Sequence, residues 1–272
     1  MPPGPVLLST AAFFSHPIAA SLRLAGECGF TGVEVMVTRD RDSQDPGRIR
    51  ALADEHRLGV GALHAPCLLL TRSVWSPDPI AKIERSVEVA SDAGIPVVVA
   101  HPPFRWQRAF RRWIEEDLRG LEARTGVIVA IENMFPVRAG RWGFAFHSDH
   151  DLRELDHVPH VVLDTSHAAV GHHDPIDVRR RFAERLRHVH LSDHPGGSWD
   201  AHLPLGEGVL DIDAIVADLA RSGYAGAVSL EVDLRAAMQR GAVRELLVAM
   251  RERVEGLLEV GSRPARTRRR AR

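Results

Sequence analysis

Nine side chains able to bind a divalent metal follow one another as His64, His101, Glu132, Asp164, His167, His190, Asp200, His202 and Glu231. Five imidazoles and four carboxylates form a mixed nitrogen and oxygen set, which suits zinc, manganese or iron better than calcium or a thiolate site. Most stand where an apolar run stops. Three runs show the pattern: Pro96-Val-Val-Val-Ala-His101, Val127-Ile-Val-Ala-Ile-Glu132 and His160-Val-Val-Leu-Asp164. Nearly continuous apolar runs belong to strands buried on both faces, as in a parallel sheet. If such strands close into a barrel, their carboxyl ends share one rim and the donors face one space. Asp164-Thr-Ser-His167 adds a second donor at i+3, within reach across the turn into a helix. Asp200-Ala-His202 adds a pair at i, i+2, which points one way on extended chain.

The elements needed to position these donors can be read from periodicity. Short apolar runs predict strands near 6–10, 32–37, 59–64, 96–101, 127–132, 160–164, 186–191 and 226–232. Amphipathic stretches predict helices over 18–28, 46–56, 78–92, 108–124, 148–155, 175–184, 212–221 and 235–258. Gly29, Gly59, Gly94, Gly126 and Gly223 stand between a helix and the next strand, where a left-handed C-cap residue is wanted. Eight alternations in 272 residues match an α/β fold of the (β/α)8 TIM barrel type, close to the roughly 250 residues of a single such domain. The expected division is a barrel over 1–260 and a basic, disordered tail over 261–272.

Composition narrows the class further. A formal net charge of -1 provides no global field for nucleic acid or a membrane. Two cysteines, Cys28 and Cys67, are too few for a disulfide framework and read as thiols of a reducing cytoplasm. No apolar run approaches a membrane span, and the start lacks the pattern of a signal peptide, so a cytoplasmic location is expected.

Other motifs have competing explanations. His16, His56, His147, His150, His157, His160, His172 and His173 read as loop or turn residues, and His188 as a packed neighbour of His190 one layer deeper. Gly206 and Gly208 are candidate substrate residues because their N–H groups could cradle a phosphate before the helix near Ile212. Trp75 and Trp199 are candidate lid residues over the substrate. Arg105, Trp106, Arg108, Arg111, Arg112 and Trp113 fit either an anion clamp or a solvated helix face with two core tryptophans.

Gly32-Val-Glu-Val35, Leu63-His-Ala-Pro66, Ala100-His-Pro102, Ile131-Glu-Asn133, Leu163-Asp-Thr-Ser-His167, His190-Leu-Ser-Asp193, Asp200-Ala-His-Leu-Pro-Leu-Gly-Glu-Gly208 and Leu230-Glu231 resemble the xylose isomerase-like TIM barrels. That superfamily includes endonuclease IV, the AP endonuclease family 2 enzymes, and sugar phosphate isomerases and epimerases. The resemblance runs from about residue 6 to 234. It implies that all nine donors correspond to the three-zinc site of endonuclease IV, with Glu132 as the bridging carboxylate. It also implies that Glu132, Asp164, His190 and Glu231 match the single-metal site of ketose epimerases, whose two glutamates move protons. The repair members' His-Asp-Ser-Tyr motif reads His64-Ala-Pro-Cys67 here, which counts against action on DNA.

These readings rank the functions. Phosphoester hydrolysis uses several metals and would employ all nine donors, with Glu132, Glu231, His64 and His101 as candidate catalytic residues. The expected cofactor is two or three Zn2+, with Mn2+ or Fe2+ as substitutes, and the expected partner is a small phosphorylated or sugar-like substrate. Isomerisation or epimerisation with one metal and the Glu132/Glu231 pair is the alternative. A DNA-repair enzyme, or a non-catalytic nucleic-acid binder acting through the arginine-rich tail, ranks lower.

Overall fold

The computed structural model describes residues 4–262 apart from 15, 67–70, 72, 140–141, 145–151 and 198. Its strands are β1 (Val6–Ser9), β2 (Gly32–Met36), β3 (Gly59–His64), β4 (Val97–Ala100), β5 (Ile128–Glu132), β6 (Val137–Ala139), β7 (Trp142–Phe144), β8 (Val161–Asp164), β9 (Leu186–Leu191) and β10 (Ala227–Leu230). Eight of them close a parallel barrel in the order β1-β2-β3-β4-β5-β8-β9-β10, while β6 and β7 form a separate antiparallel hairpin. The helices are α1 (Ile18–Glu27), α2 (Pro46–Glu55), α3 (Pro79–Ala93), α4 (Arg108–Glu116), α5 (Leu118–Thr125), α6 (Thr165–Val170), α7 (Pro175–Phe182), α8 (Ile212–Arg221), α9 (Arg235–Arg240) and α10 (Val243–Gly261). No helix among the described residues is long and apolar enough to cross a membrane.

Local chemistry explains several helix starts. α2, α3 and α7 each begin with an Asp-Pro pair, in which Asp45, Asp78 or Asp174 accepts a first-turn N–H and the proline supplies a helical φ without needing a donor. Alternation along the strands then sorts side chains into two cores. Val98, Val129, Ile131, Leu163 and Val189 face the helices in the larger cluster. Ala62, Val99, Ala130 and Val162 form a small cluster of their own inside the barrel. Those inner residues are short, which leaves room for the longer polar side chains that share the interior.

The predicted strands all form, with ends within two residues of expectation. The helices need correction. The stretch 108–124 is two helices meeting at Asp117, and 235–258 is divided at Gly241, whose φ of 66° ends α9 in the left-handed conformation. Gly59 does not take the left-handed role expected of it. It opens β3, and Arg57 two residues earlier carries the positive φ. Of the predicted helix over 148–155, the first residues lie outside the described set, and Leu152–His157 forms a 3-10 turn. The tail from 263 onward and Cys67, His147 and His150 also lie outside the described residues.

Candidate metal centre

The strand ends do what the runs implied. His64, Glu132 and Asp164 are the last residues of β3, β5 and β8, and His190 is the penultimate residue of β9. His101 and Glu231 stand one residue beyond β4 and β10. Register keeps them level, with Asp164 opposite His190 and His64 opposite Met36. A cavity of about 320 Å3 opens onto His64, His101, Glu132, His167, Asp200, His202 and Glu231, with Ala11, Phe14, Met36, Met134 and Phe135 as its apolar wall.

Glu132 is the hub. Its Oε1 lies 3.0 Å from His190 Nδ1 and 3.3 Å from His167 Nδ1, and its Oε2 lies 3.3 Å from His101 Nε2 and 3.7 Å from His64 Nε2. Glu231 Oε2 is 3.3 Å from His190 Nδ1, and Asp164 Oδ2 is 3.8 Å from the same atom. Glu132 Oε2, Asp164 Oδ2 and Glu231 Oε2 are buried yet take part in no hydrogen bond among the described residues. A buried carboxylate oxygen without a donor is costly, and three facing one space are the signature of a cation site. Donor atoms converge within 4.8 Å in the groups His64–His101–Glu132, Glu132–Asp164–His190 and Asp164–His167–His202. The residues present therefore fit divalent metal.

The histidines are also oriented for it. His64 Nδ1 is 3.0 Å from the carbonyl of Ala65, His167 Nδ1 is 2.9 Å from that of Asn133, and His202 Nδ1 is 3.0 Å from that of Glu231. A carbonyl only accepts, so each Nδ1 carries a hydrogen and each Nε2 is the nitrogen left to face the site, able to bind a cation once any proton it holds is displaced. His167 arrives because Asp164 caps α6, accepting the His167 N–H at Oδ1 over 2.7 Å while Oδ2 stays free for the site.

Asp200 and His202 come from the loop after β9 and need separate support. Asp200 accepts from Ser166 Oγ at 2.6 Å and lies 2.9 Å from His202 Nε2 and 3.3 Å from His167 Nε2. His202 has a φ of 43°, an uncommon backbone for a non-glycine residue. It is held there by the Asp233 N–H on its carbonyl and by the paired bonds between Asp193 and Leu203 next door. Asp193, fully buried, accepts N–H groups from His194, Gly206, Gly208 and Leu210 at 2.7–3.0 Å. This corrects the phosphate role expected of Gly206 and Gly208. Their N–H groups are spent on the Asp193 carboxylate, and a Cβ at Gly208 would stand 2.3 Å from Asp193 Oδ1.

Electrostatics follow from burial competing with opposite charge. For Glu132, burial raises the carboxyl, but the His190 and His167 charges outweigh it and hold it well below the usual range. Burial dominates at Asp164 and Glu231, pushing both up. Burial alone would lower His202, yet Asp164 and Asp200 lift it to about 10, and His167 and His190 are raised well above their ordinary value by neighbouring carboxylates in the same way. Without metal the site thus keeps protons that a cation would displace.

Outside the donor set, the expectations divide. Trp199 is 78% exposed beside the Asp200 loop. Trp75 is partly buried and packs against the core. Trp113 is buried whereas Trp106 is 65% exposed and stacks on Phe104, so only one of the pair is a core tryptophan. His188 is buried one layer below His190, as its parity implied, with Nε2 2.8 Å from Glu34 Oε2. Glu34 was not among the expected site residues. Its signal was present, since a carboxylate in the middle of the apolar run Gly32–Met36 must be paired if the strand is buried.

Comparison with known proteins agrees with this architecture. Residues 22–253 match the family described as xylose isomerase-like TIM barrel, and the chain belongs to that family. An uncharacterized protein of Mycobacterium bovis is 38% identical over 249 residues, covering 85% of this chain and 89% of that one. A zinc-containing IOLI protein shares the fold with a TM-score of 0.70 at 16% identity, covering 94% of this chain and 98% of that one. The 3-keto-D-glucoside 4-epimerase YcjR of E. coli superposes with a TM-score of 0.67 at 20% identity over 92% of this chain and 99% of its own. An AP endonuclease, family 2, from Brucella melitensis gives 0.65 at 21% identity over 86% and 94%. At these identities the three structures speak to the fold alone.

Proposed function

We propose that the protein is a metal-dependent hydrolase of a small phosphoester with a multinuclear centre. The observation that carries this reading is the third donor group. His167 and His202 converge with Asp164, with Asp200 2.9–3.3 Å from both, beside a central group that would be complete without the loop residues, and a single ion has no use for nine donors. His64, His101 and Glu132 would hold one ion, Glu132, Asp164, His190 and Glu231 a second, and His167, Asp200 and His202 a third. Bound together, such ions activate water and neutralise charge on the phosphate and its leaving oxygen. The protein's part is to fix the donors, to keep Glu132 ionised between groups, and to exclude bulk water with Phe14, Met36, Met134 and Phe135. A cavity of about 320 Å3, which shares Ala11, Phe14, His202 and Glu231 in its lining with a second of about 360 Å3, suits a small substrate.

One observation favours a second reading. Glu132 and Glu231 face the same cavity with a free oxygen each, the arrangement needed to move a proton between adjacent carbons of a sugar held by one ion. Metal analysis of protein purified without chelator, together with turnover of phosphomonoesters, abasic-site DNA and ketose phosphates, separates the two. More than one tightly held ion and phosphate release are expected. One ion per chain with deuterium uptake from solvent into a ketose would replace the hydrolase with the epimerase.

A further inference from the structure

His190 departs from the pattern of the other oriented histidines. In His64, His167 and His202 a backbone carbonyl holds Nδ1 and leaves Nε2 for the site. In His190 the ring is reversed. Nδ1 faces Glu132 at 3.0 Å and Glu231 at 3.3 Å, while Nε2 points down the barrel at 3.0 and 3.2 Å from the two oxygens of Glu34. Glu34 Oε2 is shared with His188 Nε2 at 2.8 Å. All three side chains are fully buried. β2 and β9 are not neighbours in the barrel, being separated by β1 and β10, so the Glu34 side chain crosses the interior to make these contacts. The space for it comes from the short side chains at that level, including Ala62, its register partner on β3.

We propose that Glu34 is a positioning residue for the metal centre, holding the His190 Nε2–H so that the Nδ1 lone pair faces Glu132, Asp164 and Glu231, with His188 bracing Glu34 in turn. A carboxylate differs from a carbonyl in this place. It fixes the tautomer and also makes the imidazole a stronger donor, so the central ion would be bound more tightly and with more negative charge around it than its neighbours. The same three residues also converge closely enough to be read as ligands of a deeper ion, but both Glu34 oxygens are already hydrogen-bonded, unlike the orphaned oxygens of Glu132, Asp164 and Glu231, and protons account for the spacings. The inference rests on the metal reading above.

Cobalt(II) titration of wild type and of Glu34→Gln, followed by visible absorption and metal content, tests it, with circular dichroism confirming the fold. A glutamine can donate to His190 Nε2 and so favours the tautomer with its hydrogen on Nδ1, aimed at the site. The central ion is expected to bind ~10- to 100-fold more weakly with a changed cobalt spectrum, while the remaining ions stay. His188→Gln, which only loosens the brace, is expected to give a smaller shift of the same sign. If Glu34→Gln does not fold, 15N spectra of zinc-loaded wild type provide the reading, with Nε2 of His190 expected protonated and Nδ1 metal-bound. Wild-type affinity and spectrum in a folded Glu34→Gln, or a metal-bound Nε2 in wild type, would overturn the inference while leaving the metal centre standing. An ion in wild type beyond those of the nine donors, lost on Glu34→Gln, would also overturn it. A wild type that takes up no cobalt would overturn the metal reading and the inference together.

Discussion

The central and outer donors reach the same cavity by different means. Glu132, Asp164 and His190 are placed by the barrel itself, and their backbone is fixed by the parallel strands that carry them. Asp200 and His202 hang on a loop whose shape depends on one buried carboxylate, Asp193, and on a strained φ at His202. Catalytic geometry built on strands is stiff, whereas geometry built on a loop is only as good as its supporting hydrogen bonds. The two groups therefore differ in how they should fail.

The largest loss is expected from Glu132→Ala, because that carboxylate touches four histidines and borders more than one donor group. Metal content should fall by more than one ion and turnover by roughly 1000-fold or more. Retention of full metal content would show that Glu132 does not bridge. Next come Asp200→Ala and His202→Ala, each expected to strip a single ion and to cost about 100-fold in turnover on phosphoesters with the central ions retained. Unchanged metal content and turnover in both would remove the outer group from the site and, with it, the hydrolase reading.

Asp193→Ala attacks the loop without touching a donor. Leaving the N–H groups of His194, Gly206, Gly208 and Leu210 without their acceptor, only the first of them on a buried residue, should lower stability by about 1–3 kcal/mol by denaturant unfolding. Weakening of the outer ion with the central ions intact is the distinguishing result. Equal weakening of all ions would mean that the loop and the barrel are not separable supports.

A smaller effect concerns pH. Burial opposes protonation of His202, but Asp164 and Asp200 outweigh it and raise it to about 10, so the metal-free protein holds that proton at neutral pH. Metal must displace it, which makes affinity rise with pH up to about 10 and makes binding release protons. Calorimetry in buffers of different ionisation enthalpy measures the release directly, and binding without proton release would contradict the charge balance proposed for the outer group. The smallest effect is expected from deleting residues 263–272, after which metal content and turnover of a small substrate should be unchanged. A lost ion would tie that tail to one of the two donor groups.

Periodicity and donor type carried much of this site, because a strand that is buried on both faces must be apolar until the residue that meets the rim. That rule located His64, His101, Glu132, Asp164, His190 and Glu231 and the barrel that gathers them. It failed where a contact crosses the barrel or closes a loop. Glu34 and His190 are 156 positions apart, and nothing in the spacing of either strand says that they meet. Gly206 and Gly208 looked like a phosphate cradle because glycine marks any close approach to backbone, and only the folded loop shows that Asp193 is what approaches. The break at Gly241 and the 3-10 turn at Leu152–His157 likewise depend on how helices cap and pack, which local propensity fixes weakly. The sequence by itself determined the barrel, its rim and the chemistry of the donors, since those follow from burial and side-chain type along one strand at a time. Tertiary structure alone decided which nitrogen each histidine presents and which carboxylate supports which loop, because those choices are made by partners from distant strands brought within hydrogen-bond distance only when the barrel closes.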